Sequence, residues 1–184
     1  MVLQQTSRME NIVNDLLSLS RIELQEHIRP NEKVNLNDII SHSIELHQEI
    51  LKKNNIECQF ERESKNVKIN GDRNRLIEVF NNLIDNGIKY SEKNKKITIT
   101  TKSGHKNFLV TIKDQGIGIS KENIPQVTER FFRVDPAKSK EVGGTGLGLA
   151  IVKHILLAHN ININIESKLN IGTTFSFLIP ISKT

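Results

Sequence analysis

The segment from Asp72 to Tyr90 constrains the fold more than any other part of the chain. With about 100° between successive residues, it predicts a helix with a broad apolar face opposite amide and charged side chains. The apolar face comprises Leu76, Ile77, Val79, Phe80, Leu83, Ile84 and Ile88. The polar face comprises Glu78, Asn82, Asp85, Asn86 and Lys89.

The polar face of this helix contains residue types that a solvent-exposed helix surface avoids. Asn is less favourable than Ala in a helix by roughly 0.6 kcal/mol, and Gly87 adds a cost of about 1 kcal/mol. We interpret Asn82 and Asn86 as amide oxygen donors to a hard cation such as Mg²⁺, which also binds phosphate oxygens. Lys89, one turn further on, would place a positive charge beside the same phosphates. An ordinary amphipathic helix with its polar side in water is the alternative at this point.

Helices and strands alternate along the rest of the chain. Apolar residues at helical spacing over residues 1–24 predict an amphipathic helix that needs a partner to cover it, and Pro30 indicates a linker. Asn37 is the expected N-cap of a helix that runs to Lys53. Another helix is expected at 147–159, with a short helical piece at Pro125–Phe132. Strands are expected at 34–36, 55–61, 67–70, 96–103, 107–113, 161–167 and 173–179. This order predicts an α/β sandwich with a mixed sheet.

Asp114 follows a predicted strand and precedes Gly116 and Gly118. An acidic residue followed by Gly-x-Gly lets the backbone fold tightly against a ligand while the carboxylate accepts a hydrogen bond. An amino group such as that of adenine is a suitable donor. A turn with a solvated aspartate is the alternative for these residues taken alone.

A second glycine-rich run, from Gly143 to Leu149, leads directly into an apolar helix. Glycines at a helix N-terminus leave N–H groups and the positive end of the helix dipole free for phosphate. The run is not a Walker loop, because no Gly-Lys-Ser/Thr follows, and its spacing differs from the dinucleotide-binding pattern. Glycines and lysines across 138–148, including Lys138 and Lys140, indicate a lid that orders when a ligand binds.

Taken in order, these segments resemble the nucleotide-binding boxes of sensor histidine kinases, which share a superfamily with gyrase, mismatch-repair and heat-shock chaperone ATPases. The resemblance covers roughly residues 34–180, and residues 7–24 resemble the second helix of the family's dimerisation hairpin. The four boxes are the N box at Glu78–Tyr90, the first glycine box at Asp114–Gly118, the F box at Arg130–Arg133 and the second glycine box at Gly144–Leu149.

The resemblance implies an α+β fold, a two-layer α/β sandwich of the Bergerat type. This fold has a mixed five-stranded sheet with three helices on one face, and here it would be preceded by one N-terminal helix. Residues 1–28 would be the C-terminal helix of a truncated dimerisation and phosphoacceptor hairpin, 29–33 a linker and 34–184 the catalytic ATP-binding domain.

The resemblance also implies a role for individual residues of the boxes. Asn86 would bind Mg²⁺, and the implied catalytic residues are Asn82, which supports the metal site, and Lys89 and Arg133, which contact phosphate. Tyr90 would line the base pocket, and Asp114 would bind the adenine amino group. The remaining nucleotide-binding residues would be Gly116 and Gly118, which permit the loop, and Gly144, Thr145, Gly146, Leu147 and Gly148 at the end of the lid.

The implied activity is transfer of the γ-phosphoryl group of Mg-ATP to a histidine on a hairpin helix outside this sequence. The partners would be the phosphoacceptor hairpin of the same parent kinase and the response regulator that receives the phosphoryl group, with a homodimer in the full-length protein. None of the six histidines has the context of the family's acceptor box, so we expect no self-phosphorylation. A cytoplasmic location is expected, and whether the parent protein is anchored in the inner membrane stays open.

Other function classes remain at this point. One is an ATPase or protein serine kinase of the same superfamily, although Asn82 stands where the gyrase branch has a glutamate base. The other is a non-enzymatic nucleotide-dependent interaction module. Residues 71–140 carry a net charge of +6, but no stacking aromatics are interleaved with it and we expect no nucleic acid partner. A single cysteine, Cys58, excludes an intramolecular disulfide.

Overall fold

The computed structural model describes residues 2–25, 30–63, 68–134 and 144–181. Some residues covered by these expectations lie outside the described ones: Arg29 at the start of the expected linker, and Lys138, Lys140 and Gly143 of the expected lid.

Within the described residues, the helices and strands follow the predicted order. The α-helices are α1 (Val2–Gln25), α2 (Leu36–Leu46), α3 (Gln48–Asn54), α4 (Arg73–Tyr90) and α5 (Gly148–Ala158). A 3₁₀ helix lies at Ile124–Gln126. The strands are β1 (Lys33–Asn35), β2 (Glu57–Glu61), β3 (Lys68–Asn70), β4 (Lys96–Ser103), β5 (Asn107–Lys113), β6 (Ile163–Lys168) and β7 (Gly172–Pro180).

Five of the strands form one mixed sheet in the order β2-β4-β5-β7-β6. Strand β2 is parallel to β4, and the other neighbouring pairs are antiparallel. Strands β1 and β3 form a separate antiparallel pair. The predicted α+β fold with a mixed five-stranded sheet is confirmed.

Side chains alternate along the central strands, so one face of the sheet is buried and the other is open. In β4, Ile97 and Ile99 are buried whereas Thr98 between them is half-buried. Helix α4 packs against α2 and α5, and Phe80 of α4 lies 6.2 Å from Phe177 of β7 between ring centroids. The core therefore lies between one face of the sheet and a layer of helices.

Helix α4 begins where the sequence predicted. The Asp72 carboxylate accepts hydrogen bonds from the N–H groups of Asn74 and Arg75, at 2.9 and 3.1 Å. These bonds satisfy two of the donors that a helix start leaves unpaired. The carboxyl-terminal half of the helix lies close to the sheet, since a Cβ added at Gly87 would come within 2.8 Å of Ile97 Cδ1.

The expected start of the second helix was wrong by two residues. The N-cap is Asn35, whose side chain accepts a hydrogen bond from Asn37 N–H at 3.1 Å. Asn37 lies inside the first turn and is buried. The expectation of one helix to Lys53 was also wrong, because His47 separates α2 from α3 with φ −99° and ψ 1°.

The expected helical piece at Pro125–Phe132 is shorter than the sequence suggested. Only Ile124–Gln126 is helical, as a single 3₁₀ turn. Phe131 has a left-handed backbone conformation with φ +61°, and such a conformation ends helical geometry.

Helix α1 packs against α5. Leu19 and Ile22 of its apolar stripe are 1% and 3% exposed, whereas Met9 and Leu17 are 67% and 52% exposed. Helix α5 and its neighbours therefore cover the C-terminal part of this stripe and leave its earlier part in solvent. Across the described residues, none of the helices combines the length and apolar character needed to cross a bilayer.

Candidate functional site

Two adjoining cavities lie between α4, α5 and the loop after β5. The smaller has a volume of about 120 Å³, and the larger about 330 Å³. Both are lined by Asn86, Tyr90, Val127, Phe132 and Leu149. A single elongated ligand could therefore occupy both.

The smaller cavity is an apolar slot with a carboxylate in its wall. Asp114 lies at the end of β5 and is 8% exposed. Its Oδ1 accepts hydrogen bonds from Gly116 N–H at 2.8 Å and from Thr173 N–H at 3.1 Å. Both bonds go to Oδ1, so Oδ2 is the oxygen that can accept from a ligand. Burial raises the pKa of Asp114 more than these two backbone bonds lower it. The apolar walls come from Ile117, Ile119, Val127, Phe132, Val134, Leu149 and Phe175.

The loop after Asp114 needs glycine at two positions for different reasons. Gly118 has φ +70°, and an added Cβ would lie 2.1 Å from the carbonyl oxygen of Lys168. At Gly116 the backbone conformation is ordinary, but an added Cβ would lie 2.5 Å from the carbonyl oxygen of Tyr90. The loop is thereby held against the end of α4 on one side and the end of β6 on the other.

The larger cavity is polar and lies along the predicted asparagine face. Asn82, Asn86 and Lys89 contribute from α4. Gly144, Thr145, Gly146 and Gly148 contribute from the glycine-rich run that leads into α5. This run therefore lies opposite the amide side chains, as a phosphate-binding arrangement requires.

The amide oxygen of Asn82 faces the glycine-rich run. Its Nδ2 donates to the carbonyl of Glu78 at 2.9 Å, and a Cβ added at Gly148 would come within 2.6 Å of Oδ1. The start of α5 therefore lies directly against the Asn82 amide, which would have to move to admit a larger residue at 148. No side chain caps the start of α5 at Leu147, so its N-terminal N–H groups are available to an anion.

The donors in this cavity fit Mg²⁺ shared with a phosphate chain. Among the described residues, no three His, Cys, Asp or Glu side chains lie close enough together to hold a metal ion by themselves. Asn86 offers a hard amide oxygen in a cavity that also holds Asn82 and Lys89. Mg²⁺ commonly takes one or two protein oxygens and completes its shell with water and phosphate oxygens. This arrangement suits an ion that arrives with a nucleotide.

The F box and the second glycine box are joined by hydrogen bonds. Phe131 N–H donates to the carbonyl of Gly146 at 2.9 Å, and the Arg133 guanidinium donates to the carbonyl of Gly144. Gly146 has φ +78°, and an added Cβ would lie 3.0 Å from the backbone of Phe131. These contacts hold Arg133 at the wall of the smaller cavity.

The cavities bring together eleven of the thirteen residues singled out in the sequence. Gly116 and Leu147 do not line either cavity. The Leu147 side chain is fully buried in the core, and its N–H donates to Thr145 Oγ1 at 3.2 Å. The two residues support the loops rather than offering side chains to a ligand.

Sequence reasoning missed two parts of the site. Helix α1 lines the larger cavity with Asn11, Asn14 and Asp15, and Thr145 Oγ1 donates to Asp15 Oδ2 at 2.7 Å. On the other side, His47 forms an ion pair with Asp85 across 3.2 Å. No spacing in the sequence indicates either contact, because both join residues far apart along the chain.

Comparison with known proteins gives one consistent result. Residues 71–183 match the family model described as histidine kinase-, DNA gyrase B-, and HSP90-like ATPase. The sensor-like histidine kinase SenX3 of Mycobacterium tuberculosis is 35% identical over 97% of this chain and 43% of its own length. The phosphate regulon sensor protein PhoR of Haemophilus influenzae is 37% identical over 96% of the chain and 41% of its own length. The chain therefore spans less than half the length of these curated relatives.

Solved structures agree with the sequence relatives. The catalytic domain of the histidine kinase ThkA is 31% identical with a TM-score of 0.72, covering 83% of this chain and 98% of that domain. ThkA solved in complex with the response regulator protein TrrA is 27% identical with a TM-score of 0.76. That match covers 98% of this chain and 49% of the ThkA chain.

Proposed function

Since the chain belongs to the histidine kinase-, DNA gyrase B-, and HSP90-like ATPase family, we propose that it binds Mg-ATP across the two cavities and serves as the catalytic domain of a protein-histidine kinase. The adenine would occupy the smaller, apolar cavity and the phosphates the larger, polar one. The contact between the two cavities through their five common residues is the observation that carries this proposal.

At the adenine end, Asp114 Oδ2 would accept a hydrogen bond from the exocyclic amino group. The aromatic and aliphatic walls of the slot would cover the faces of the base and exclude water. Tyr90 lies where the two cavities meet and would line the base pocket. Together these groups would fix the orientation of the nucleotide.

At the phosphate end, Asn86 would hold Mg²⁺ with support from Asn82, and Lys89 would contact phosphate oxygens. Arg133 lines the smaller cavity and donates to the carbonyl of Gly144 in the larger one, so it would contact phosphate from the junction between the two. The bound ion would neutralise phosphate charge. The N–H groups of Gly144 to Gly148 and the start of α5 would hold the phosphate chain. Catalysis would then consist mainly of positioning the γ-phosphoryl group and neutralising its charge.

We place the phosphoacceptor histidine outside these 184 residues, because none of the six histidines has the sequence context of the family's acceptor box. The acceptor would lie on the first helix of a hairpin whose second helix is α1. A response regulator would receive the phosphoryl group, as expected for a relative of a kinase solved with a response regulator protein. We also propose that the full-length protein is a homodimer through this hairpin.

Two measurements test the proposal together. Calorimetry should detect uptake of ATP that is strengthened by Mg²⁺, and Asn86→Ala should remove the Mg²⁺ dependence while retaining binding of adenosine. The chain should label a separately supplied acceptor hairpin with γ-labelled ATP and should not label itself. Absence of ATP binding with or without Mg²⁺ would refute the proposal. Steady phosphate release without an acceptor would instead indicate an ATPase.

A further inference from the structure

His47, Asp85 and Lys89 form a chain of contacts that leads from the α2–α3 break to the larger cavity. His47 Nε2 lies 3.2 Å from Asp85 Oδ1, and Lys89 Nζ lies 3.5 Å from Asp85 Oδ2. Asp85 and Lys89 line the cavity, whereas His47 lies behind them and is 8% exposed. The two basic groups therefore lie on opposite oxygens of one carboxylate.

With Asp85 ionised, the geometry favours the form of His47 that carries both ring protons. Its Nδ1 lies 2.7 Å from the carbonyl oxygen of Ser43, and its Nε2 faces Asp85 Oδ1. Both partners are acceptors, so a neutral ring could bond only one of them and would direct a lone pair at the other. Only the imidazolium donates to both.

The pKa of His47 shifts in the direction that this geometry favours. The hydrogen bond to Asp85 raises the pKa of His47, outweighing the opposing effects of burial and of the Lys89 charge. This direction favours the imidazolium, which places a cationic side chain on each oxygen of the Asp85 carboxylate.

This order of charges matters because Asp85 is an anion on the wall of a cavity suited to phosphate. Alone, its carboxylate would repel a phosphate chain and would hold the Lys89 ammonium against itself. A buried cation on its far oxygen offsets the negative charge without entering the cavity. Charges in a partly buried site are screened less than surface charges, so the effect reaches the ligand.

We propose that His47 is a positioning residue for the phosphate end of the site. It neutralises Asp85 from the side away from the cavity and so frees Lys89 to bind the phosphates of the nucleotide. The inference rests on the proposed function, because it concerns the same nucleotide. It adds a specific consequence: His47 acts on the affinity for phosphates and not on the affinity for the base.

Calorimetry on the full chain with two ligands tests this inference. Mg-ATP reports on both ends of the site, and adenosine, which lacks phosphates, reports on the base pocket alone. His47→Gln should weaken Mg-ATP binding roughly three- to tenfold, as expected for loss of a unit charge near phosphates at intermediate dielectric. Adenosine affinity should stay within about twofold of wild type.

His154→Gln is the matched control, because it removes another histidine that pairs with a carboxylate. His154 Nε2 lies 3.3 Å from Glu23 Oε1, and His154 lines neither cavity. The ratio of Mg-ATP to adenosine affinity should be that of wild type in this variant. A similar change of the ratio in both variants would overturn the assignment to His47.

Asp85→Asn supplies a second, independent variant. Removing the carboxylate removes the charge that His47 offsets, so Asp85→Asn alone should retain or tighten Mg-ATP binding. Adding His47→Gln to Asp85→Asn should cause no further loss. Three results would each overturn the inference. They are weaker Mg-ATP binding in Asp85→Asn, an equal loss of affinity for Mg-ATP and adenosine in His47→Gln, and an effect of His47→Gln on Mg-ATP affinity that persists in the Asp85→Asn background. If wild type fails to bind Mg-ATP, the proposed function fails first, and the inference fails with it.

Discussion

Asp114→Asn should change which base the chain binds without unfolding the pocket. Asn can keep the acceptor that receives the Gly116 and Thr173 N–H groups at 2.8 and 3.1 Å. It would place an NH₂ group where Asp114 has Oδ2. That group cannot accept from the adenine amino group but can donate to a base with a keto oxygen at the same position.

The expected magnitude follows from the type of hydrogen bond that is lost. A bond to a charged acceptor contributes about 1.5–3 kcal/mol, which corresponds to roughly a 10- to 150-fold increase in Kd. Calorimetry with the Mg²⁺ complexes of ATP and inosine triphosphate measures both preferences. We expect ATP affinity to fall by that factor, and affinity for inosine triphosphate to be retained or improved.

Stability provides the control for this variant. Burial raises the pKa of Asp114, so the ionised carboxylate is disfavoured in the fold and the native state of wild type gains stability as pH falls. A neutral Asn lacks this cost, and urea unfolding at pH 7 should show no loss of stability. Equal weakening of both nucleotides, or unchanged ATP affinity, would refute the assignment of Asp114 to the amino group.

Three further predictions concern the loop, the N-terminal helix and the buried histidine. Gly118→Ala should lower the free energy of unfolding in urea by more than about 2 kcal/mol, because φ is +70° and the new Cβ would lie 2.1 Å from the carbonyl oxygen of Lys168. A variant as stable as wild type would contradict the loop geometry. Asp15→Asn should tighten Mg-ATP binding roughly two- to fivefold, because one negative charge is removed from the cavity. Asp38→Asn, on the exposed side of α2, should leave Mg-ATP affinity unchanged. The raised pKa of His47 contributes stability that is fully present below its unfolded pKa of about 6.5 and is lost as pH rises through the folded pKa. The free energies of unfolding of wild type and His47→Gln in urea should therefore differ most at low pH. A difference that grows with pH would contradict the charged pair.

Local signals were sufficient where the structure is decided locally. Strands β4 and β5 have the predicted bounds, and Asp72 caps α4 as expected for an acidic residue before an apolar run. Asn160 has φ +60° after α5, a conformation that Asn tolerates in place of glycine. Each of these features is decided by residues in the same helical turn or the same strand.

Errors arose where a distant contact decides the outcome. Asn35 and Asn37 are both suitable cap residues by type, and Asn37 lies inside the fold because the helix starts two residues earlier, with Leu36 buried in the core. The break between α2 and α3 falls at His47, whose ring bonds Ser43 and Asp85. Asp85 is 38 positions away, and hydrophobic periodicity in the α2–α3 segment carries no information about it.

The site shows the same division between local and distant information. Glycine and asparagine spacing predicted the α4 face and the two loops, and the fold brings these segments to the same pair of cavities. The wall that α1 contributes could not be found in this way. Asn11, Asn14 and Asp15 are ordinary polar residues of an amphipathic helix, and long-range contacts such as the packing of Leu19 and Ile22 bring their helix to the cavity.

The position of Asp15 couples the N-terminal helix to the nucleotide in both directions. Its carboxylate lines the cavity that we assign to phosphates and accepts a hydrogen bond from Thr145 of the second glycine box. If Asp15 weakens nucleotide binding by a given factor while α1 is packed on α5, linkage requires the bound nucleotide to weaken that packing by the same factor. Leu19 and Ile22 oppose the separation through their burial, so the nucleotide would shift the equilibrium without abolishing the packed state. A single carboxylate in the proposed phosphate cavity would thereby make the packing of α1 on α5 depend on bound ATP.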